Sequence, residues 1–176
     1  MVNNKTFNNV IDTLKNLGKV HQNITTTTTG DIWEIDLAKN TLFPLMHINP
    51  VNVQTSATTL TYNFQIFIMD LVSEKEDWTE TNFQSANNLS NGQEVLSDTL
   101  QICTDIIAML RHSKWQSELE NDINAAVMWG DGDFSLEPFS DRFDNEVTGW
   151  VFTLPLIVHN NFQSCEIPVT VEPIVE

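Results

Sequence analysis

The first apolar pattern along the chain has the spacing of a helix. Between residues 4 and 18, apolar side chains recur three and four residues apart and form a single stripe. The stripe consists of Phe7, Val10, Ile11, Leu14 and Leu17. Asn4 is suited to cap the start of this helix, and Gly18 is suited to end it in the left-handed conformation. The pattern predicts a helix over 4–18 that packs on the rest of the fold.

A second helix is predicted after the residues Ser90 and Gln93, which match a capping box. Its apolar positions extend from Val95 to Leu110 and form a wide face. Acidic residues lie near its start, and Arg111, with His112 and Lys114 beyond it, lies near its end, as the helix dipole favours. We expect this helix to be the spine of the core.

Alternating apolar and polar residues predict several strands. The clearest lies over 59–72, where apolar positions share one face until Phe67, after which both faces become apolar. This end of the strand is therefore expected to be buried on both sides, by a helix or by a neighbouring subunit. Further strands are predicted over residues 32–37, 42–48, 125–129, 134–139 and 150–158. Pro44 favours an edge or irregular path for the stretch at 42–48, and Pro50 is expected to end it.

Three segments lack this patterning. Residues 22–30 are a polar, Thr-rich run that predicts an exposed loop. Residues 73–93 are polar and acidic and predict a long loop before the second helix. Residues 165–176 are extended and contain proline, which indicates a C-terminal arm.

The order of elements is helix, strands, helix, strands. This order predicts an α+β fold in which an antiparallel or mixed sheet is packed by the N-terminal helix and the longer central helix. The 176 residues fit a single domain over 1–176 with the arm at 165–176. No internal repeat is visible.

Charge narrows the range of functions. The chain carries 24 acidic and 8 basic residues, a net charge of −16. Such a field opposes gripping of nucleic acid and docking on anionic membranes. It is compatible with solubility alone, with a basic protein partner, or with a surface that DNA slides past. No signal-peptide core and no apolar run long enough to span a membrane are present, so we expect no membrane partner.

The sequence offers little recognisable catalytic chemistry. A phosphate-binding loop, a nucleophile elbow and a dinucleotide-binding glycine pattern are all missing. The histidines are far apart in sequence and none is paired with a cysteine; they are His21, His47, His112 and His159. Cys103 and Cys165 are expected to be buried, reduced thiols. We therefore assign no catalytic, cofactor-binding or metal-binding residue.

Two groups of acidic residues are candidates for a calcium site and a catalytic site. Asp131-Gly132-Asp133 resembles the start of a calcium loop, but Leu136 stands where that loop needs glycine, so a hairpin turn is the better interpretation. The carboxylates of Asp141, Asp144 and Glu146 could form a general acid/base pair, although a solvated loop explains them equally in an acidic chain.

Residues 137–150 form the most distinctive sequence motif of the chain. Residues 137–150, Glu-Pro-Phe-Ser-Asp-Arg-Phe-Asp-Asn-Glu-Val-Thr-Gly-Trp, followed by an alternating strand, resemble the C-terminal portion of small neck and tail proteins of tailed bacteriophages. The order of elements resembles that group as well. The group includes tail terminators, tail-completion proteins and head–tail joining proteins, and the Asn-rich, Arg-poor composition would suit a phage of the crAss-like type.

The resemblance implies a virion protein without catalytic residues, assembled in the host cytoplasm into a ring around the DNA passage. Its partners would be copies of itself and other neck, portal or tail proteins, with genomic DNA passing without specific binding. Loops and terminal arms of such proteins reach neighbouring rings, so residues 22–30, 73–93 and 165–176 become candidate interfaces. Arg142 would then pair with the surrounding carboxylates and not with nucleic acid.

Two other functions remain open at this point. An acidic inhibitor that mimics DNA would need carboxylates arrayed along one surface, whereas the acids of this chain cluster in loops. A small hydrolase or ligand-binding domain would use Asp141, Asp144 or His159. Substitution of those residues would then abolish an activity and spare the fold.

Overall fold

A computed structural model of the chain describes residues 7–31, 42–72, 91–111, 127–129, 133–140 and 147–159. These residues form two helices and six strands. In chain order the elements are α1 (Phe7–Val20), β1 (Thr26–Thr29), β2 (Leu45–Thr55), β3 (Thr59–Leu71), α2 (Gly92–Arg111), β4 (Val127–Trp129), β5 (Leu136–Ser140) and β6 (Val147–His159).

The strands form one mixed sheet in the order β1-β2-β3-β6-β4, and β5 pairs with β6 as well. β1 is parallel to β2, and the remaining pairs are antiparallel. The longest pairing joins β3 to β6 without interruption, from Thr59 opposite His159 to Leu71 opposite Val147. The α+β prediction is confirmed.

Both helices pack on the same face of the sheet. The apolar stripe of α1 and the apolar face of α2 meet alternate residues of β2, β3 and β6 in one cluster, whose centre includes Leu14, Leu17, Ile66, Ile102, Ile106 and Leu154. The indole N–H of Trp150 donates a 2.8 Å hydrogen bond to the carbonyl of Leu96, which ties β6 to α2. The prediction that α2 forms the spine of the core is in agreement with this packing.

The opposite face carries a second, smaller apolar cluster at one end of the sheet. It consists of Leu45, Phe67, Met69, Phe139 and Val147. The rings of Phe67 and Phe139 meet edge to face with centroids 5.8 Å apart. The prediction that β3 becomes buried on both sides is therefore confirmed for Phe67 to Met69, whereas Leu71, at the end of the strand, is 44% exposed.

The Thr-rich run was wrongly predicted to be an exposed loop. Thr26–Thr29 forms β1, and each residue is half-buried beside residues 45–48 of β2. A run of threonines is low in complexity, yet its β-branched side chains suit a pleated, half-buried strand. The low complexity of the run favoured a loop, whereas the β propensity of threonine correctly indicates a strand.

The boundaries of both helices also differ from the prediction. α1 continues past Gly18 to Val20, and Gly18 is a buried helical residue that faces β1 instead of a left-handed stop. α2 begins at Gly92, and the carbonyl of Asn91 accepts hydrogen bonds from the amides of Glu94 and Val95. Asn91 is therefore the capping residue, one position after the predicted Ser90.

Pro50 does not end the second strand. β2 runs on to Thr55, and a shift in register between Pro50 and Asn52 marks a bulge. The prediction of an edge or irregular path rested on Pro44, whereas residues 45–48 pair with strands on both sides. The bulge beside Pro50 absorbs the irregularity there, and the strand continues. Residues 51–55, which the sequence interpretation left out, thus belong to the sheet.

The hairpin predicted around Asp131-Gly132-Asp133 is wrong as well. β4 pairs with residues 156–158 of β6, and β5 pairs with residues 148–152. Both are antiparallel to β6 and pair with the same edge of it, so they run in the same direction and do not form a hairpin with each other. The reversal comes later, between β5 and β6.

Several predictions lie outside the described residues. They are the helix cap at Asn4, the strand at 32–37, the loop over 73–90, the arm at 165–176, the side chain of His159, and the residues His112, Lys114, Asp141, Arg142, Asp144, Glu146 and Cys165. They stay predictions.

Candidate functional site: an uncharged tip of the sheet

One end of the sheet extends beyond β1, and we call it the tip. It consists of residues 49–55 of β2, 59–65 of β3, 153–159 of β6 and the short strand β4. β1 accompanies β2 only as far as Ile48. From Asn49 to Thr55, β2 therefore has β3 on one side and no described strand on the other, and its residues are exposed from Pro50 onward.

The face of the tip that points away from the helices is lined by amides and hydroxyls. Asn63 donates to the side-chain carbonyl of Asn52 at 2.7 Å, and Asn49 donates to that of Gln65 at 3.3 Å. The strand register also places Gln54, Thr61, Thr153, Pro155 and Ile157 on this face. None of these residues carries a charge, in a chain with a net charge of −16.

The helix-bearing face of the tip is apolar. Val53 lies opposite Tyr62, and the ring of Phe7 from α1 lies 6.2 Å from the ring of Tyr62 and 6.3 Å from that of Phe64. Tyr62 and Phe64 are buried, but Val53 and Phe7 stay 47% and 42% exposed. Val53 on the open edge of β2 and Phe7 beside β3 thus leave apolar surface exposed at this end of the sheet.

His47 holds β1 at the point where the tip begins. Its Nε2 lies 3.1 Å from the carbonyl oxygen of Gly30 and its Nδ1 lies 2.8 Å from the hydroxyl of Thr28. Because a carbonyl only accepts, Nε2 carries the proton and Nδ1 accepts from Thr28. The ring is 1% exposed, so this histidine serves to attach β1 to β2.

A cleft of about 420 Å³ opens beside the amide face. Its walls come from Gln65 of β3, from Thr153 and Pro155 of β6, and from the segment between Asp133 and Glu137. The two carboxylates stand on exposed residues of that segment. The lining, which also includes Ser135, can hydrogen-bond a polar chain or side chain.

The other candidate residues stay separate. His21, at the end of α1, lies 3.4 Å from the carboxylate of Asp105 on α2 and links the two helices. Cys103 is buried in the core, as predicted, and this burial raises the pKa of its thiol to about 12. In the described ranges no three histidine, cysteine, aspartate or glutamate side chains are grouped to hold a metal ion.

Sequence reasoning missed the tip because it ended the second strand at Pro50. The signal was present in residues 51–55, where Val51, Val53 and Thr55 alternate with Asn52 and Gln54. This alternation continues across a proline, and only the paired structure shows that a bulge accommodates it.

Within the parts of the chain that are described, no helix has both the length and the apolar character needed to cross a membrane. Searches against protein-family models and against curated proteins give no match to the chain.

Proposed function

We propose that the chain is a structural subunit of a tailed-phage virion, which assembles into a ring in the neck or tail as a connector or tail terminator around the DNA passage. Two kinds of support are available. The stretch that resembles phage neck and tail proteins, residues 137–150, falls on β5 and on the start of β6. The α+β arrangement agrees with the order of elements in that group.

The uncharged tip is the observation that carries the proposal. Copies of a chain with a net charge of −16 repel one another, so they associate best through surfaces free of carboxylates. Charged residues are also depleted at the cores of protein interfaces, because burying an unpaired charge costs desolvation energy. The tip combines an amide-lined face with exposed Val53 and Phe7, which suits it to contact another subunit.

The acidic remainder of the surface fits a role beside DNA without binding it. Carboxylates repel the phosphate backbone, so a ring of this composition would let DNA pass without adhering. Neighbouring virion proteins of the neck, portal or tail would be the other partners. We propose no reaction for the chain.

Static light scattering of the purified chain over a concentration range tests the proposal, with negative-stain electron microscopy of the same samples. We expect a discrete closed oligomer that appears as a ring. A chain that stays monomeric at every concentration would contradict self-assembly. An antibody against the chain should label the neck or tail of purified virions, and labelling elsewhere would contradict the location.

A further inference from the structure

We infer that residues 53–55 of β2 pair with the β4 edge of a second copy of the chain, so that the sheet continues from one subunit to the next. The inference rests on the proposed ring assembly and names the surface that builds it. Four features of the tip support it. The edge of β2 is open, residues 53–55 share register rows with β4 across the sheet, the strands alternate in direction, and the two edges carry no charge.

Among the described residues, no strand or helix covers the edge of β2 at residues 51–55. Native edge strands are usually blocked by charged side chains, proline, bulges or a covering element. Pro50 and the adjacent bulge protect the start of this stretch, but Val-Asn-Val-Gln-Thr has neither charge nor proline. Its residues are exposed, and Val53 is 47% accessible. An unblocked edge of this kind is a template for another strand.

β4 lies at the same level on the other side of the sheet. Trp129 is the register partner of Leu156, Leu156 of Tyr62, and Tyr62 of Val53. The two neighbouring rows run in the same way from Met128 to Gln54 and from Val127 to Thr55. A second copy placed beside the first at the same height therefore brings its β4 alongside residues 53–55.

The strand directions make this joint antiparallel. β2, β3, β6 and β4 alternate in direction across the tip. Because four is an even number, β4 of one copy runs opposite to β2 of the next copy when both have the same orientation. The contact joins two different surfaces, and head-to-tail contacts of this type close into rings when the rotation between copies permits.

Charge favours a second copy as the occupant. Residues 51–55 and Val127–Trp129 contain no charged residue, so their approach brings no carboxylates of this acidic chain together. A basic partner would gain nothing from this edge, since it would find its complementary carboxylates elsewhere on the surface. The approaching copy would also cover Val53, which lies on the open edge.

The test compares three variants of the full chain by light scattering. Val53→Lys places a charge on the edge and should weaken association by about tenfold or more. Val53→Thr keeps a β-branched residue and should assemble like the unaltered chain. Thr104→Lys adds the same charge at an exposed position of α2, outside the tip, and should assemble as well. Circular dichroism and thermal unfolding show whether each variant folds.

Site-specific cross-linking identifies the strand of the second copy that pairs with β2. A photoreactive phenylalanine analogue at position 53, in a mixture of isotopically light and heavy chains, should give intermolecular cross-links to the peptide that contains Val127–Trp129. Cross-links between two β2 strands would overturn the inference in favour of two-fold pairing. If the unaltered chain assembles and a folded Val53→Lys variant assembles equally well, the edge is wrong and the ring proposal survives. If the unaltered chain is a monomer, the proposed function itself fails.

Discussion

At the scale of single residues, two glycines show why spacing patterns alone cannot locate close contacts. Gly18 faces the side chain of Thr27, and Gly149 faces the backbone of Ile68 on the neighbouring strand. The sequence pattern indicates that Gly18 ends the first helix, and it gives Gly149 no role beyond its place in the stretch 137–150. In the structure each glycine lets two elements approach more closely than a side chain would permit.

We predict that Gly149→Ala destabilises the fold far more than Gly18→Ala. A methyl group at Gly149 would collide with the carbonyl of Ile68, and β3 can yield only by shifting its backbone. We expect a loss of about 2–3 kcal/mol in the free energy of unfolding, typical of overpacking. At Gly18 the nearest atoms belong to the side chains of Thr27 and Met46, which yield more easily than backbone, and alanine gains about 1 kcal/mol in helix propensity.

Urea unfolding of the two variants measures this difference, and Gly18→Ala serves as the matched control. Equal losses of unfolding free energy for the two alanines would show that the strand pair β3–β6 is not as closely packed as described. A larger loss at Gly18 would show that the contact between α1 and β1 is the tighter one.

At the scale of elements, periodicity predicted those that bury one regular face. α2, β3 and β6 were placed with their apolar faces correct, because burial against a single core imposes a period that is readable in the sequence. β1 and the second half of β2 were missed. β1 has no apolar residue to reveal a period, and β2 crosses Pro50, whose effect depends on a bulge and on the neighbouring strand.

The contact between the end of β3 and the start of α2 gives a prediction about pH. Burial raises the pKa of Asp70, and repulsion from Asp98 on α2 raises it further, while a hydrogen bond from the Leu71 amide opposes both effects. The folded state therefore holds the proton of Asp70 more tightly than the unfolded chain does. The resulting penalty is absent below the ordinary aspartate pKa of about 4 and is fully present above the raised pKa.

Asp70→Asn removes this penalty and keeps an oxygen that can accept from the Leu71 amide. We expect the variant to be more stable than the unaltered chain at pH 7, with a difference that closes as the pH falls toward about 3.5. Urea unfolding at several pH values measures the difference, and Asp98→Asn should give a smaller gain at pH 7. An advantage for Asp70→Asn that is the same at all pH values would point to packing instead of proton linkage.

At the scale of the whole molecule, the chain is strongly acidic but the strands of the tip carry no charge. The net charge of −16 could be read from composition, but the absence of charge from the tip could not, because its residues come from four strands that are distant in sequence. Asn52 and Asn63 become neighbours only through the β2–β3 register, and Val53 and Trp129 share a row only through β6. The candidate site is therefore a property of strand order more than of any local motif.

The combination of an uncharged tip and a negative net charge predicts how assembly depends on salt. Subunits that meet through uncharged surfaces while the rest of each carries a net negative charge repel one another at long range, and no ion pairs hold the contact together. Salt screens charges over about 10 Å at 0.1 M, so adding sodium chloride should strengthen association measured by light scattering at fixed protein concentration. The effect should level off near 0.5 M, where the screening length is about 4 Å. Val53→Thr should follow the same curve, because it leaves the charge unchanged. Dissociation by salt would mean instead that carboxylates pair with cations across the contact, and the uncharged tip would then not be the assembly surface.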